Sequence, residues 1–320
     1  MIPFCKSTIG EEEIQAASAV YRSGWMAPGP QTEAFEQEFA KYVGVKYAIF
    51  TGSCTAALKI AYKWARRGAA LGNEGSAFAL IPKNTFCATY AAASEVGVTW
   101  YYQEELGTKS PDAFRVNVHY GSIKDETPCL IEDSAHRIEP NDPLVGKIRC
   151  YSFYVTKNMT VGGQGGMFVT NDKDIYDFAR LCWKDGLTTS TADRLSGNIV
   201  DYEVKLMAGG YDADDVRAAV GRVQLRKLPE MNRKRNAIVK TYNLAFDQDW
   251  QGNHLYPYFV KSVEDVYRLR QHLKERGIAS GYHYPGPQNW LGVSLPLFPS
   301  LTQEECVYIT EQVKEWQKKQ

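Results

Sequence analysis

The stretch Cys150–Asp172, CYSFYVTKNMTVGGQGGMFVTND, sets a hydroxyl (Ser152) and a lysine (Lys157) behind a short apolar strand, and a glycine-rich turn leads into the next strand. An unpaired ammonium at the end of a buried strand is costly. Lys157 becomes reasonable there if its nitrogen is consumed in a Schiff base, which marks it for carbonyl chemistry. A second constellation, Ile131–His136 (IEDSAH), closes an apolar run with an acid pair and places Asp133 at the carboxyl end of a core strand. Asp133 and Lys157 can therefore face one pocket. In a third, Lys46–Phe50 (KYAIF) runs through Thr51-Gly52-Ser53-Cys54-Thr55 into a helical pattern from Ala56. Such a turn presents free backbone N–H groups at a helix N-terminus, where an anion can sit.

The elements that must hold these residues follow from periodicity. Glu11–Arg22 and Thr32–Val43 have helical spacing and are separated by the Pro/Gly-rich loop Ser23–Pro30. Short apolar strands at Ala77–Pro82, Val98–Tyr102, Val116–His119, Cys129–Glu132, Arg149–Tyr154 and Met167–Thr170 are interleaved with helical stretches at Ala56–Arg67 and Thr89–Glu95. This alternation predicts an α/β fold of three layers, α/β/α, with a mainly parallel sheet whose ligands collect at the strands' carboxyl ends. Asp215–Lys227 reads as a helix. Beyond it, helices at Met231–Phe246, Val263–Arg276 and Gln303–Lys318 and an extended stretch at His254–Val260 predict a small α+β domain. The expected division is a large domain over 1–228, whose N-terminal helix can also pack on the small domain, and a small domain over 229–320.

With 320 residues, 44% of them hydrophobic, the chain can bury one large core and a smaller one. Lys plus Arg and Asp plus Glu both number 37 and no basic block stands out, which argues against nucleic acid as a partner. A near-neutral surface permits self-association. Seven scattered cysteines without a C-x-x-C pair disfavour a disulfide scaffold or a metal site and suit reduced thiols. No apolar run reaches the roughly 18 residues of a membrane span. The start MIPFCKSTIGEEE has no signal-peptide pattern, so a soluble, cytoplasmic protein without membrane contact is expected.

The pieces IPFCKSTIGEEEI, SGWMAPGPQTEAFEQEFAKYVGVKYAI, TGSCTAAL, IPKNTFCAT, VHYG, IEDSAHRI, YSFYVTKN, GGQGGMFVTND, AAVGRVQLRKL, HYP and SLPLFPSLT follow one another along the chain. In this order and spacing the sequence resembles the DegT/DnrJ/EryC1/StrS aminotransferases, fold-type I pyridoxal-phosphate enzymes that aminate keto-sugars. The resemblance implies that Lys157 carries pyridoxal 5'-phosphate as a Schiff base and, once released by substrate, shuttles a proton. By the same resemblance Asp133 keeps the pyridine nitrogen protonated, Phe86 stacks on the ring, and His136 sits near its phenolic oxygen. Ser53, Cys54, Thr55 and Ser152 match the phosphate cradle, and His283 and Tyr284 match positions near the sugar. A homodimer with active sites between subunits is also implied, moving an amino group from glutamate or glutamine to a keto-sugar, nucleotide-linked, by a ping-pong cycle.

Other readings of the same residues stay open: Lys157 as a surface lysine, Asp133 as a helix cap, Phe86 as core packing, and His136 and His283 as structural histidines. At the level of function the rivals are a related enzyme that does not transaminate, such as a sugar dehydratase, and a regulator that kept the fold. The chain also departs from the family. Relatives carry an Asn-containing segment that reaches the neighbouring subunit's phosphate, where this chain reads GGYDADDV. Asp212 there would repel a phosphate, and the run Asp212–Asp215 reads most simply as a solvated helix start. The stretch between Phe86 and Asp133 is compressed, and the substrate-contacting segment is cut to Gly286–Val293.

Overall fold

The computed structural model describes residues 1–70, 76–106, 113–120, 124–189, 203–285 and 290–320. Helices α1 (Glu11–Ser23) and α2 (Pro30–Val43) precede an alternating run of β1 (Tyr47–Thr51), α3 (Cys54–Ala70), β2 (Phe78–Ile81), α4 (Ala88–Glu95) and β3 (Thr99–Tyr102). The single turn α5 (Gln103–Leu106), β4 (Phe114–Tyr120), β5 (Ile131–His136), β6 (Ile148–Ser152), β7 (Gly166–Thr170) and α6 (Lys173–Trp183) complete the large unit. Then come α7 (Asp215–Phe246), β8 (Tyr256–Phe259), α8 (Val263–Glu275), β9 (Gly281–Tyr282), β10 (Gly292–Leu295) and α9 (Gln303–Gln317).

The seven-stranded sheet has the order β1-β7-β6-β5-β4-β2-β3. Strands β3, β2, β4, β5 and β6 pair in parallel. Strand β7 is antiparallel to both β6 and β1, because the chain returns from β6 through the glycine-rich turn rather than through a crossover helix. Helices α3, α4 and α6 cover one face, packing Leu58, Tyr62, Ala92 and Phe178 on Val116, Ile131 and Ile148. On the other face α2 and α7 bring Phe35, Phe39 and Leu228 against Phe50, Tyr151 and Phe153. A separate core of Val266, Leu269, Val293, Leu295, Ile309 and Val313 supports the antiparallel sheet β8-β10-β9.

Two local expectations are corrected. The helices read as Asp215–Lys227 and Met231–Phe246 are one helix of 32 residues with Pro229 inside it. A proline there removes one backbone donor, and burial of Leu228 and Met231 on either side holds the helix together regardless. The residue 228/229 division thus falls within α7. The acidic run is not simply a solvated start. Asp214 does cap α7, accepting from Arg217 N. Asp215, however, is buried and accepts from the amides of Gly29, Gln31 and Thr32 and from the Thr32 hydroxyl, so it caps the N-terminus of α2. A helix start buried under α7 needs such an acceptor for its orphan N–H groups.

Side chains on a strand alternate between faces. On β5 this sends Asp133 with Ile131 toward α3, and Glu132 to the opposite face beside Arg149 of β6. Arg149 donates through Nη2 to Glu132 (2.6 Å) and through Nη1 to Asp142 (3.0 Å), and His119 of β4 lies 2.8 Å from Glu132. Arg149, Glu132 and His119 are entirely buried. Burial pushes the Glu132 carboxyl up, but the His119 hydrogen bond and the Arg149 charge outweigh it and hold the group below its ordinary value. This ion network locks the middle strands in register directly behind Asp133.

Candidate active site

A cleft of about 460 Å³ opens at the carboxyl ends of β5 and β6, walled by the start of α3 on one side and by His254, Leu255, His283 and Tyr284 on the other. All ten residues singled out from the sequence line it: Ser53, Cys54, Thr55, Phe86, Asp133, His136, Ser152, Lys157, His283 and Tyr284. Of the shortened segment Gly286–Val293, residues 286–289 lie outside the described residues.

Asp133 is 5% exposed. Thr89 of α4 donates to its Oδ2 at 2.8 Å, Ala135 N donates to its Oδ1 at 3.1 Å, and Thr89 is in turn 2.7 Å from the Thr85 hydroxyl. Burial raises the Asp133 carboxyl above its ordinary value, and these hydrogen bonds offset only part of that. The carboxylate is oriented but short of positive charge, which suits a cationic ring nitrogen.

Lys157 follows β6 on the cleft wall. Its side chain is partly accessible, yet enough protein surrounds the ammonium to strip most of its hydration, and this lowers its pKa to about 8 against the pull of Asp133. Lys157 has no salt bridge among the described residues; Nζ lies 3.2 Å from Nε2 and 3.4 Å from Nδ1 of His136. Burial and the lysine charge push His136 well below its ordinary value, so its ring is neutral, and a 2.6 Å hydrogen bond to the Tyr284 hydroxyl fixes it. The neutral fraction of Lys157 therefore grows as pH rises through about 8 rather than through the ordinary lysine range. In cofactor-free protein, the rate at which an amine-selective acylating reagent labels Lys157 should titrate with a midpoint near 8. Peptide mass spectrometry across a pH series checks this.

The start of α3 carries no acidic side chain in its first turn; Ser53 Oγ accepts from Ala56 N at 3.1 Å, and the amides of Cys54 and Thr55, without a protein acceptor among the described residues, are left for an external anion. Gly166 of β7 makes the close packing beneath it possible. A Cβ there would lie 2.4 Å from Cys54 N and from Ser53 C. Gly166→Ala should therefore displace the turn, cost about 1–3 kcal/mol in thermal or denaturant unfolding and weaken retention of a phosphate-bearing ligand. Equilibrium dialysis measures the second effect.

Phe86 is 54% exposed at the cleft mouth and meets Tyr284 at a 5.6 Å centroid distance, so core packing does not account for it. His283 is held by Ser294 Oγ (2.9 Å) and stacks on Phe4. Asp212, expected to repel a phosphate, is paired with Lys184 at 2.8 Å, so its charge is compensated. Sequence reasoning passed over Thr89, although it is the last residue of the NTFCAT piece, and His254, which precedes β8 and also lines the cleft.

A lysine whose pKa is lowered to about 8, an oriented carboxylate and an open helix N-terminus suit a phosphorylated pyridine aldehyde, and the fold around them defines the class of pyridoxal-phosphate-dependent transferases. The chain belongs to the DegT/DnrJ/EryC1/StrS aminotransferase family, whose model matches residues 7–105 and 126–293. The spore coat polysaccharide biosynthesis protein SpsC of Bacillus subtilis is 28% identical, in an alignment covering 98% of this chain and 96% of that one. Among solved structures, PseC of Helicobacter pylori, an aminotransferase involved in the biosynthesis of pseudoaminic acid, superimposes with a TM-score of 0.84 at 21% identity, covering 98% of both chains. The PLP form of Spr1654 from Streptococcus pneumoniae reaches 0.86 at 21% identity, covering 99% of both. The protein is thus a pyridoxal-phosphate-dependent aminotransferase.

Proposed function

We propose that this enzyme moves an amino group from glutamate or glutamine onto a keto-sugar, nucleotide-linked, in a ping-pong cycle. The observation that carries the reading is Lys157, a buried-end lysine without a salt bridge among the described residues, sharing its cleft with an aspartate held by Thr89. When bound, the cofactor supplies an electron sink for the carbon that gains or loses the amino group.

The chain's own residues do the rest. Lys157 holds the cofactor and, when freed, moves a proton at the substrate carbon; a pKa near 8 keeps a usable neutral fraction at physiological pH. Asp133 holds the proton on the ring nitrogen, and Thr89 keeps the carboxylate aimed. Ser53, Cys54, Thr55 and Ser152 would hold the phosphate, and Phe86 and His136 would flank the ring. His283 and Tyr284 face the sugar. The names of the relatives support a sugar acceptor: PseC acts in pseudoaminic acid biosynthesis and SpsC in that of a spore coat polysaccharide.

A homodimer in the cytoplasm completes the reading. The exposed Val204 and Met207 leave apolar surface for a second subunit, and all seven cysteines are free thiols. No helix among the described residues is long and apolar enough to cross a membrane. Sedimentation should show the dimer.

The test uses the two half-reactions. The yellow holoenzyme should bleach on adding glutamate or glutamine, and a panel of nucleotide-linked keto-sugars should restore the band. Colour that no amino donor bleaches would overturn transamination, and recovery with keto acids but no keto-sugar would overturn the acceptor.

A further inference from the structure

Three imidazoles line the cleft around Lys157, and two of them are committed to protein partners: His136 to Tyr284, and His283 to Ser294. His254 differs. It is 7% exposed, lies against His136 at a 5.1 Å ring-centroid distance, and makes no hydrogen bond among the described residues. Its ring nitrogens have no protein partner among the described residues and open on the cleft, so they are available to a ligand there.

The charges around it say which ligand. Behind the cleft Arg235 of α7 is 4% exposed and donates only to neutral acceptors, Asn232 Oδ1 at 2.8 Å and the Asn158 carbonyl at 2.7 Å. It has no acidic partner among the described residues. Burial, and the charges of Lys157 and Arg235, hold the His254 imidazole neutral. Asp133 is the one carboxylate among the lining residues, and it is turned to Thr89. This corner therefore offers a free N–H donor near Arg235, a cation with no acidic partner among the described residues, and that charge stays when Lys157 carries the cofactor. At its reacting carbon a keto-sugar brings hydroxyls and a carbonyl, whose dipoles gain less from that charge than a full negative charge does, and its phosphate linkage to the nucleotide is borne by a different carbon. An amino-acid donor brings carboxylate.

We propose that His254 receives a carboxylate of the amino-acid donor, so that donor and sugar acceptor share the cleft but are read by different residues. This rests on the aminotransferase reading. The anion relieves the positive surroundings and turns a neutral hydrogen bond into a charge-assisted one.

The experiment uses holoenzyme carrying His254→Asn or His254→Ala, with folding read from the retained cofactor absorbance; if the alanine variant does not fold, the asparagine variant carries the comparison. Glutarate, a dicarboxylate with no amino group to react, is titrated by calorimetry. The donor and acceptor half-reactions are followed separately in single turnovers. Loss of a hydrogen bond to a charged group should weaken glutarate by about tenfold or more. The donor concentration for half-saturation should rise by the same factor, with the acceptor half-reaction unchanged. Unchanged glutarate affinity, or equal losses in both half-reactions, would overturn the assignment. If the parent enzyme fails to bleach with any donor, the aminotransferase reading falls, while the glutarate titration still reports on His254.

Discussion

Replacing Lys157 with Ala should slow the amino-donor half-reaction by at least about three orders of magnitude, since it removes both the attachment point of the cofactor and the proton carrier. The same change should not lower the melting temperature of the cofactor-free protein at pH 7. The reason lies in linkage. Desolvation depresses the folded-state pKa of Lys157 to about 8, while the unfolded chain keeps the ordinary lysine value. Between these values the unfolded state binds more protons, so stability rises with pH through that window. Below pH 8 the folded protein bears a charged, poorly hydrated ammonium, a cost on the order of 2 kcal/mol after allowing for its partial exposure. Alanine removes the cost, lost packing of the lysine stem offsets some of the gain, and the rise in stability between pH 8 and 10 should vanish. Stopped-flow absorbance and unfolding curves across pH read the two effects independently.

The second large effect concerns stability alone. Arg149→Met should destabilise the fold by about 3–5 kcal/mol, because it leaves the fully buried Glu132 without its arginine counter-charge and takes one of three cationic partners from Asp142, which keeps Lys124 and Arg137. Adding Glu132→Leu should not restore the parent value, as it often does for an isolated buried pair. Glu132 Oε1 also accepts from the amides of Val145 and Gly146, and Oε2 lies 2.8 Å from His119. Removing it orphans those donors in turn. Denaturant unfolding of the two single variants and the double variant checks the claim; full recovery in the double variant would mean that the network is only a pair.

The chemistry was legible where it coincided with strand ends. Lys157, Asp133 and the Ser53–Thr55 turn each follow a short apolar run, and a mainly parallel sheet brings such ends to one side. The alternating strands and helices were readable for the same reason. Other features had no local signature. Hydrophobicity carries no direction, so the antiparallel return of β7 is invisible in GMFVT. Asp215 resembles any acid at a helix start until α2 is seen against it. Thr89 and His254 are ordinary residues in their own segments and acquire meaning only across the cleft, from Asp133 and from Arg235. Helix α6 is a different case: Asp172 caps it and KDIYDFARLCW is amphipathic, so its signals were present and passed over.

The central claim is that Lys157 is the residue that carries the cofactor. Borohydride reduction of the holoenzyme fixes the cofactor permanently to whichever lysine bears it, and peptide mass spectrometry then locates the added mass. The account predicts that the label falls on the peptide containing Lys157 and is absent from the Lys157→Ala variant. A label on any other lysine, or cofactor released unreduced from a yellow protein, would contradict it.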